Sequence, residues 1–337
     1  MINGHGDDLH QFNCDIKYNF SSNVYYKGCS PLLLKELENK IFKIENYPSP
    51  AAEELNVLAA NYFNLDKSQF LFSNGATEAF YLIAQCFKDR KVIIVGPTFA
   101  EYEDACKINK LTHRFISKED IFKTNYEDNL VFICNPNNPD GSILSLNEIE
   151  KLLKSFPLAQ FIIDEAYYEF TNATKPAACL INKYSNIAIV RSLTKTFAMP
   201  GLRLGYVISN KKFISNLFAL KMPWSVNSLA IASGEFIFKN YKTLSFNIEE
   251  LLQETTVFKA QINSIDYLKV VNGYTTYFLV ALQKGTASQL KKYLIEQHQI
   301  LVRDATNFTG LKGEFIRIAI QQPESNVQLI KALKMWN

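Results

Sequence analysis

Apolar residues fall in short blocks along the first two thirds of the chain, at Phe70–Phe72, Val92–Val95, Arg114–Ile116, Leu130–Cys134, Phe161–Ile163, Ile187–Val190 and Leu204–Ile208. Blocks this short and this uniformly apolar read as buried strands. The stretches around them have helical spacing. Ser30-Pro31 opens a helix with Leu34, Leu37 and Ile41 on its apolar face, the serine capping and the proline suiting the first turn. Asn46 to Pro50 breaks it, and a second helix follows from Ala51 to Phe63. Ser73 to Glu78 turns into a helix that runs to about Phe87, and Gly96 to Phe99 leads into another. Ser145 and Glu148 have capping-box spacing ahead of an apolar stripe of Ile149, Leu152 and Leu153. Strands alternating with helices predict an α/β fold, a mostly parallel sheet with helices on both faces.

From about Lys211 the pattern becomes mostly helical, with one long stretch from Val226 to Gln261. Strand-like runs follow at Val270–Val271, Thr276–Ala281, Ile300–Arg303 and Phe315–Ile320, with helices at Ala287–His298 and Asn326–Met335. This predicts a smaller α+β domain at the C-terminal end. No repeat, low-complexity tract or linker separates it from the rest.

Composition narrows the class. Hydrophobic residues make up 47% and charged residues 20%, the balance of a soluble enzyme with a sizeable core. A net charge of +3 is too mild to argue for nucleic acid. The first residues carry no apolar core, so no signal peptide is expected. No apolar run approaches the ~20 residues of a membrane span. The six cysteines include no CxxC and the four histidines no HxxxH pair. Reduced thiols in a cytoplasmic protein are expected, with neither a disulfide framework nor a metal site.

The candidate chemistry centres on Arg191 to Tyr206. Lys195 stands just after a strand, among Ser192, Thr194 and Thr196, and Arg203 follows between Gly201 and Gly205. A lysine amine can form an imine, while hydroxyls and a guanidinium hold a phosphate. Pyridoxal 5′-phosphate (PLP) needs both, together with an acidic partner for its ring nitrogen. By itself the segment also suits a solvated lysine in a polar loop. Gly75-Ala76-Thr77-Glu78, between a strand and a helix, offers free amides for an anion, or a plain turn. Asn135 to Gly141 follows a buried strand and pairs turn-forming residues with an asparagine amide able to donate to the cofactor's phenolate oxygen. Asp164 ends a buried strand, where a carboxylate needs a partner; a pyridinium nitrogen and a helix N-terminus both qualify. Phe99 suits a ring stack or the core. Arg303 and Arg317 end strand-like runs and suit carboxylates, phosphates or surface ion pairs.

Taken in this order, these motifs resemble the fold-type I PLP enzymes, the aspartate aminotransferase superfamily, over essentially the whole chain. The resemblance implies a PLP-dependent transferase-like fold whose large domain holds a seven-stranded sheet. An N-terminal arm with part of the small domain would occupy 1–45, the large PLP-binding domain 46–220 and the small domain 221–337. Lys195 would be the imine lysine and Asp164 the partner of the pyridine nitrogen. Asn138 and Tyr167 would hold the phenolate oxygen and Phe99 would stack on the ring. Ala76, Thr77, Ser192, Thr194 and Arg203 would bind the cofactor phosphate. Tyr47 would reach the phosphate in a neighbouring subunit, since the family is usually a homodimer with shared active sites. Arg317 would bind the substrate carboxylate.

Within the superfamily the chain is most similar to two sister groups, the threonine-phosphate decarboxylases and the histidinol-phosphate aminotransferases. Gly4-His5-Gly6, Phe20 to Asn23, Phe99 to Tyr102, Met222 to Asn227 and Ile300 to Asp304 with Asn307 resemble the decarboxylases. They imply decarboxylation of L-threonine O-3-phosphate to the aminopropanol phosphate of cobalamin biosynthesis, with His5, Asn23 and Arg303 at the substrate phosphate. The alternative implied is amino transfer from a histidinol-phosphate-type amine to 2-oxoglutarate. Asp140 stands where the family usually has threonine. A non-catalytic PLP-binding regulator would add a basic helix-turn-helix, for which the sequence has no signal.

Overall fold

The computed structural model describes residues 6–12 and 15–336; His5 and Cys14 lie outside the described residues. In chain order the strands are β1 (Tyr18–Asn19), β2 (Phe70–Asn74), β3 (Val92–Gly96), β4 (His113–Ser117), β5 (Leu130–Cys134), β6 (Gln160–Asp164), β7 (Ile187–Ser192), β8 (Leu204–Ser209), β9 (Leu268–Val270), β10 (Tyr277–Leu282), β11 (Ile300–Leu301), β12 (Arg303–Asp304) and β13 (Phe315–Ala319). The helices are α1 (Pro31–Lys40), α2 (Glu53–Phe63), α3 (Gly75–Cys86), α4 (Glu101–Ile108), α5 (Leu146–Ser155), α6 (Leu193–Thr196), α7 (Lys211–Phe218), α8 (Ser228–Lys239), α9 (Tyr241–Leu244), α10 (Ile248–Asn263), α11 (Ala287–His298) and α12 (Pro323–Met335).

Seven strands form one sheet in the order β2-β8-β7-β6-β5-β3-β4. Only β8 runs against its neighbours, β2 and β7; the other pairings are parallel. Alternate residues serve opposite faces, as the pleat requires. Phe72, Val131, Phe161 and Ile189 pack with α1, α2, α5 and α8. Leu71, Phe132, Ile162 and Val190 pack with α3, α4 and α7. A second sheet, β12-β13-β10-β9, is antiparallel and carries its own core with α10, α11 and α12. Among the described residues no helix is long and apolar enough to cross a membrane.

Three local expectations change. In α1 the core residue is Leu33, fully buried, while Leu34 and Ile41 are exposed. The helix packs on α8 through the Leu33–Leu37 line, and within a run of three leucines periodicity alone cannot say which one faces in. The stretch 226–261 is three helices. It breaks at Asn240 and again at 245–247, where Asn247 Oδ1 accepts from the backbone N–H groups of Glu249 (3.1 Å) and Glu250 (3.3 Å), satisfying the free donors of a new helix start. The run Ile300–Arg303 divides: β11 pairs with β1 and β12 pairs with β13. The helix α8, beyond residue 221, buries Ala230, Ile231 and Ile237 in the core of the seven-stranded sheet.

Behind the strand ends lies a buried ion pair. Glu165 Oε2 accepts from Arg191 Nε (2.9 Å) and Nη2 (2.8 Å), with both side chains about fully covered. The guanidinium sits 3.8 Å from the Tyr168 ring centroid and 5.0 Å from that of Phe63. The pair ties the end of β7 to the residue after β6. Removing one partner strands a charge away from water, so Arg191→Met is expected to cost about 3–5 kcal/mol in denaturant unfolding. The double variant Arg191→Met/Glu165→Gln should recover a large part of that loss.

Candidate active site

The cavity between the two sheets encloses about 280 Å³. Lys195 reaches it from α6, Thr77 from the first turn of α3, and Phe99 from the segment before α4. Asn138 and Tyr167 line it from the loops after β5 and β6, and Arg203 from the residue before β8. Arg303, Arg317, Asn23 and Asn307 close it from the small sheet and the N-terminal segment. Parallel strands deliver their carboxyl ends to one edge of a sheet, which is why loops distant in sequence converge here.

Asp164, Ala76, Ser192 and Thr194 sit just behind this lining. Asp164 Oδ1 accepts from the Ala166 N–H (2.9 Å) and Oδ2 from the Tyr102 hydroxyl (2.5 Å). Burial pushes the Asp164 carboxyl up to about 6, and these two donors oppose the shift. Its neighbour Glu165 is spent on Arg191 and on the Ala177 N–H, so of this adjacent pair Asp164 is the one left for the cavity, whose lining also includes Asp7. Tyr47 is not brought there: it is 88% exposed on the outside of the chain, tilted against Trp224 at 5.5 Å.

The cationic groups set the electrostatics. Arg303 and Arg317 are direct partners across antiparallel β12 and β13, 7% and 5% exposed. Like charges in that position repel. Burial and the neighbouring Arg317 lower Arg303 to about 10. Neutral acceptors hold both guanidinium groups. Arg317 Nη1 donates to Asn138 Oδ1 (2.6 Å) and Nη2 to the Ser21 carbonyl (2.5 Å), while Arg303 Nη2 donates to Asn307 Oδ1 (2.7 Å). Arg317 Nε is buried with no acceptor, and the amide of buried Asn23 makes no well-formed hydrogen bond. Burial, then Arg317 and Arg203, bring the Lys195 amine down to about 8. Burial pushes the Tyr167 phenol up to about 12, so it remains a donor.

The residues fit a phosphorylated, carbonyl-bearing cofactor. The start of α3 has no side-chain cap, so its first amides are free for an anion. A Cβ on Gly75 would collide with the Arg203 guanidinium, and one on Gly205 with the Ala76 backbone nitrogen. The cradle is therefore built at a closeness only glycine allows. The Ser192 and Thr194 hydroxyls face each other at 2.8 Å on the same side. Among the described residues no cluster could hold a metal ion.

The profile of the family described as aminotransferase class I and II matches residues 15–333. The chain belongs to the class I and II aminotransferase family. Its cofactor is pyridoxal 5′-phosphate. Among solved structures, the L-threonine-O-3-phosphate decarboxylase of Porphyromonas gingivalis is 38% identical, with a TM-score of 0.91, covering 94% of this chain and 98% of that one. The threonine-phosphate decarboxylase of Salmonella typhimurium is 29% identical over 94% of this chain and 90% of its own. A histidinol-phosphate aminotransferase of Caldanaerobacter subterraneus is 30% identical over 88% and 85%.

In this aminotransferase-family chain Asp140 acts inside its own loop. Its carboxylate accepts from Asn137 Nδ2 (2.8 Å) and the Ser142 N–H (3.1 Å), and it does not line the cavity. The Ser21 carbonyl and the Tyr102 hydroxyl lie within motifs read from the sequence, but their contacts with Arg317 and Asp164 were not expected. A backbone carbonyl has no signature. Tyr102 had one, its place three residues after Phe99, which puts both on one face of a helical turn.

Only a neutral amine adds to a carbonyl. Capture of PLP by the cofactor-free protein, followed by absorbance, is expected to speed up about tenfold per pH unit and level off near pH 8. A plateau only above pH 10 would contradict the lowered Lys195. Lys195→Ala should leave no covalent absorbance band.

Proposed function

We propose that the chain decarboxylates L-threonine O-3-phosphate to aminopropanol phosphate, with Lys195 carrying the cofactor. The observation that carries this reading is the opposed pair Arg303 and Arg317, buried at the cavity and hydrogen-bonded, among the described residues, to neutral acceptors. Two such cations suit a substrate that brings a phosphate and a carboxylate together. The relative of 38% identity from Porphyromonas gingivalis supports the same substrate.

Bound PLP supplies an electron-poor ring that takes up the electron pair released when a bond at the substrate α-carbon breaks. Asp164 holds the proton on the ring nitrogen. Asn138, whose Oδ1 is engaged by Arg317, has its amide N–H group to donate to the phenolate oxygen, beside the Tyr167 hydroxyl. Arg203, Ser192, Thr194, Ala76 and Thr77 hold the cofactor phosphate, and Phe99 covers a face of the ring. Arg317 grips the substrate carboxylate, and Arg303 with Asn23 grips its phosphate. Their combined hold would orient the substrate and so select which α-carbon bond is broken. Lys195 would return a proton to the α-carbon after loss of CO2, or would remove the α-hydrogen where amino transfer is the outcome.

That second outcome is the alternative reading, a histidinol-phosphate-type aminotransferase using 2-oxoglutarate. The relative of 30% identity from Caldanaerobacter subterraneus favours it. In either case a second copy of the chain completes the site. Phe42, Ile44 and Trp224 are exposed apolar residues around Tyr47. An interface there would carry Tyr47 to the partner's cofactor phosphate.

The deciding experiment is a single turnover with phosphothreonine and no keto acid, following CO2 and cofactor absorbance together. CO2 release with the starting spectrum restored is the expected result. No CO2, with the amine form of the cofactor accumulating on histidinol phosphate, would move the assignment to aminotransferase. Arg303→Met should raise KM for phosphothreonine about tenfold to a hundredfold, the worth of a hydrogen bond to a charged group.

A further inference from the structure

Tyr102 lies in the first turn of α4 and is fully buried. Its ring is fixed on three sides by phenylalanines. Phe132 stacks parallel to it at 5.1 Å, Phe80 meets it edge-on at 4.8 Å and Phe99 edge-on at 5.8 Å. A phenylalanine would fill this niche equally well. The hydroxyl instead brings a polar group into an apolar layer, which costs free energy unless it is bonded. It donates to Asp164 Oδ2 at 2.5 Å, while the nearby Cys134 thiol donates elsewhere, to the Pro136 carbonyl. With the Ala166 N–H on Oδ1, both oxygens of Asp164 are clamped and the plane of the carboxylate is set.

We infer that Tyr102 is a positioning residue for the proton on the cofactor's ring nitrogen, acting through Asp164. The hydroxyl orients the carboxylate and favours its anion in a site whose burial favours the neutral acid. It touches neither substrate nor reacting atoms. The inference rests on Asp164 facing the ring nitrogen, and it is independent of whether CO2 or an amino group leaves.

The test compares two cofactors in the full chain. One is PLP. The other is its analogue with a C–H group replacing the ring nitrogen, which gives Asp164 nothing to pair with. Dissociation constants are measured by titrating cofactor-free protein, wild type and Tyr102→Phe. Wild type is expected to prefer PLP, and Tyr102→Phe to reduce that preference about tenfold while changing affinity for the analogue little. With ¹⁵N-labelled PLP, the ring-nitrogen resonance should move toward its unprotonated position in Tyr102→Phe. Equal weakening of both cofactors, with an unmoved resonance, would show the hydroxyl to be a packing feature and overturn the inference. A wild-type protein that does not discriminate between the cofactors would overturn the Asp164 pairing beneath it.

Discussion

Two almost fully buried arginines are direct partners across β12 and β13 at the wall of the cavity. In that setting a charge is neutralised poorly by solvent, and its influence on neighbours grows. The surrounding acceptors, an asparagine side chain on each arginine and backbone carbonyls, satisfy hydrogen-bond geometry without cancelling charge. Arg203, Arg303, Arg317 and Lys195 outnumber Asp7 in the cavity lining, so positive charge predominates there. The same potential falls on Lys195, where Arg317 and Arg203 join burial in disfavouring the ammonium. A lysine that is a poor acid-base group on a surface becomes a nucleophile near neutral pH. On the proposed reading, substrate affinity and lysine reactivity share one electrostatic cause.

The large sheet supplies the counterweight. Its parallel strands bring Asp164 and Ser192 to neighbouring ends, since β6 and β7 pair in register up to Asp164 and Val190. The antiparallel β8 starts at that same edge, so Arg203 and Gly205 arrive beside the uncapped start of α3. At these strand ends two carboxylates are buried side by side, Asp164 and Glu165. Glu165 is taken by Arg191 on the far side of the strand ends. Asp164 is helped to keep its charge by the Tyr102 hydroxyl, the Ala166 N–H and the charge of Lys195, beside a cavity lined by three arginines. That asymmetry suits a ligand with anionic groups at its edge and a basic nitrogen at its far end.

Legibility from sequence followed the range of the interaction concerned. The strand blocks are set by contiguous apolar residues, and the capping box at Ser145 and Glu148 by four neighbouring residues; both are readable locally and both are present. Lys195, Asp164 and Asn138 follow strand ends, which periodicity also marks. What could not be read was pairing across the sequence. The choice of Leu33 over Leu34 depends on α8, some two hundred positions away. The opposition of Arg303 and Arg317 depends on the register between β12 and β13. Tyr102 stood in the sequence only as part of the Phe99–Tyr102 run, and its hydroxyl gained meaning when α4 was laid beside the end of β6.

The contact between Arg317 and Asn138 joins these two halves. One side chain belongs to the small sheet and the other to the loop after β5, and the bond between them is 2.6 Å. If Arg317 holds the substrate carboxylate while Asn138 touches the cofactor, the angle between carboxylate and ring is governed by the seating of one sheet against the other. The choice between losing CO2 and losing a proton is a rotation about a single bond. It is then a property of domain packing rather than of any one catalytic side chain. On that reading, a small shift at the β13 end of the contact would turn the substrate carboxylate relative to the cofactor and change which bond is broken.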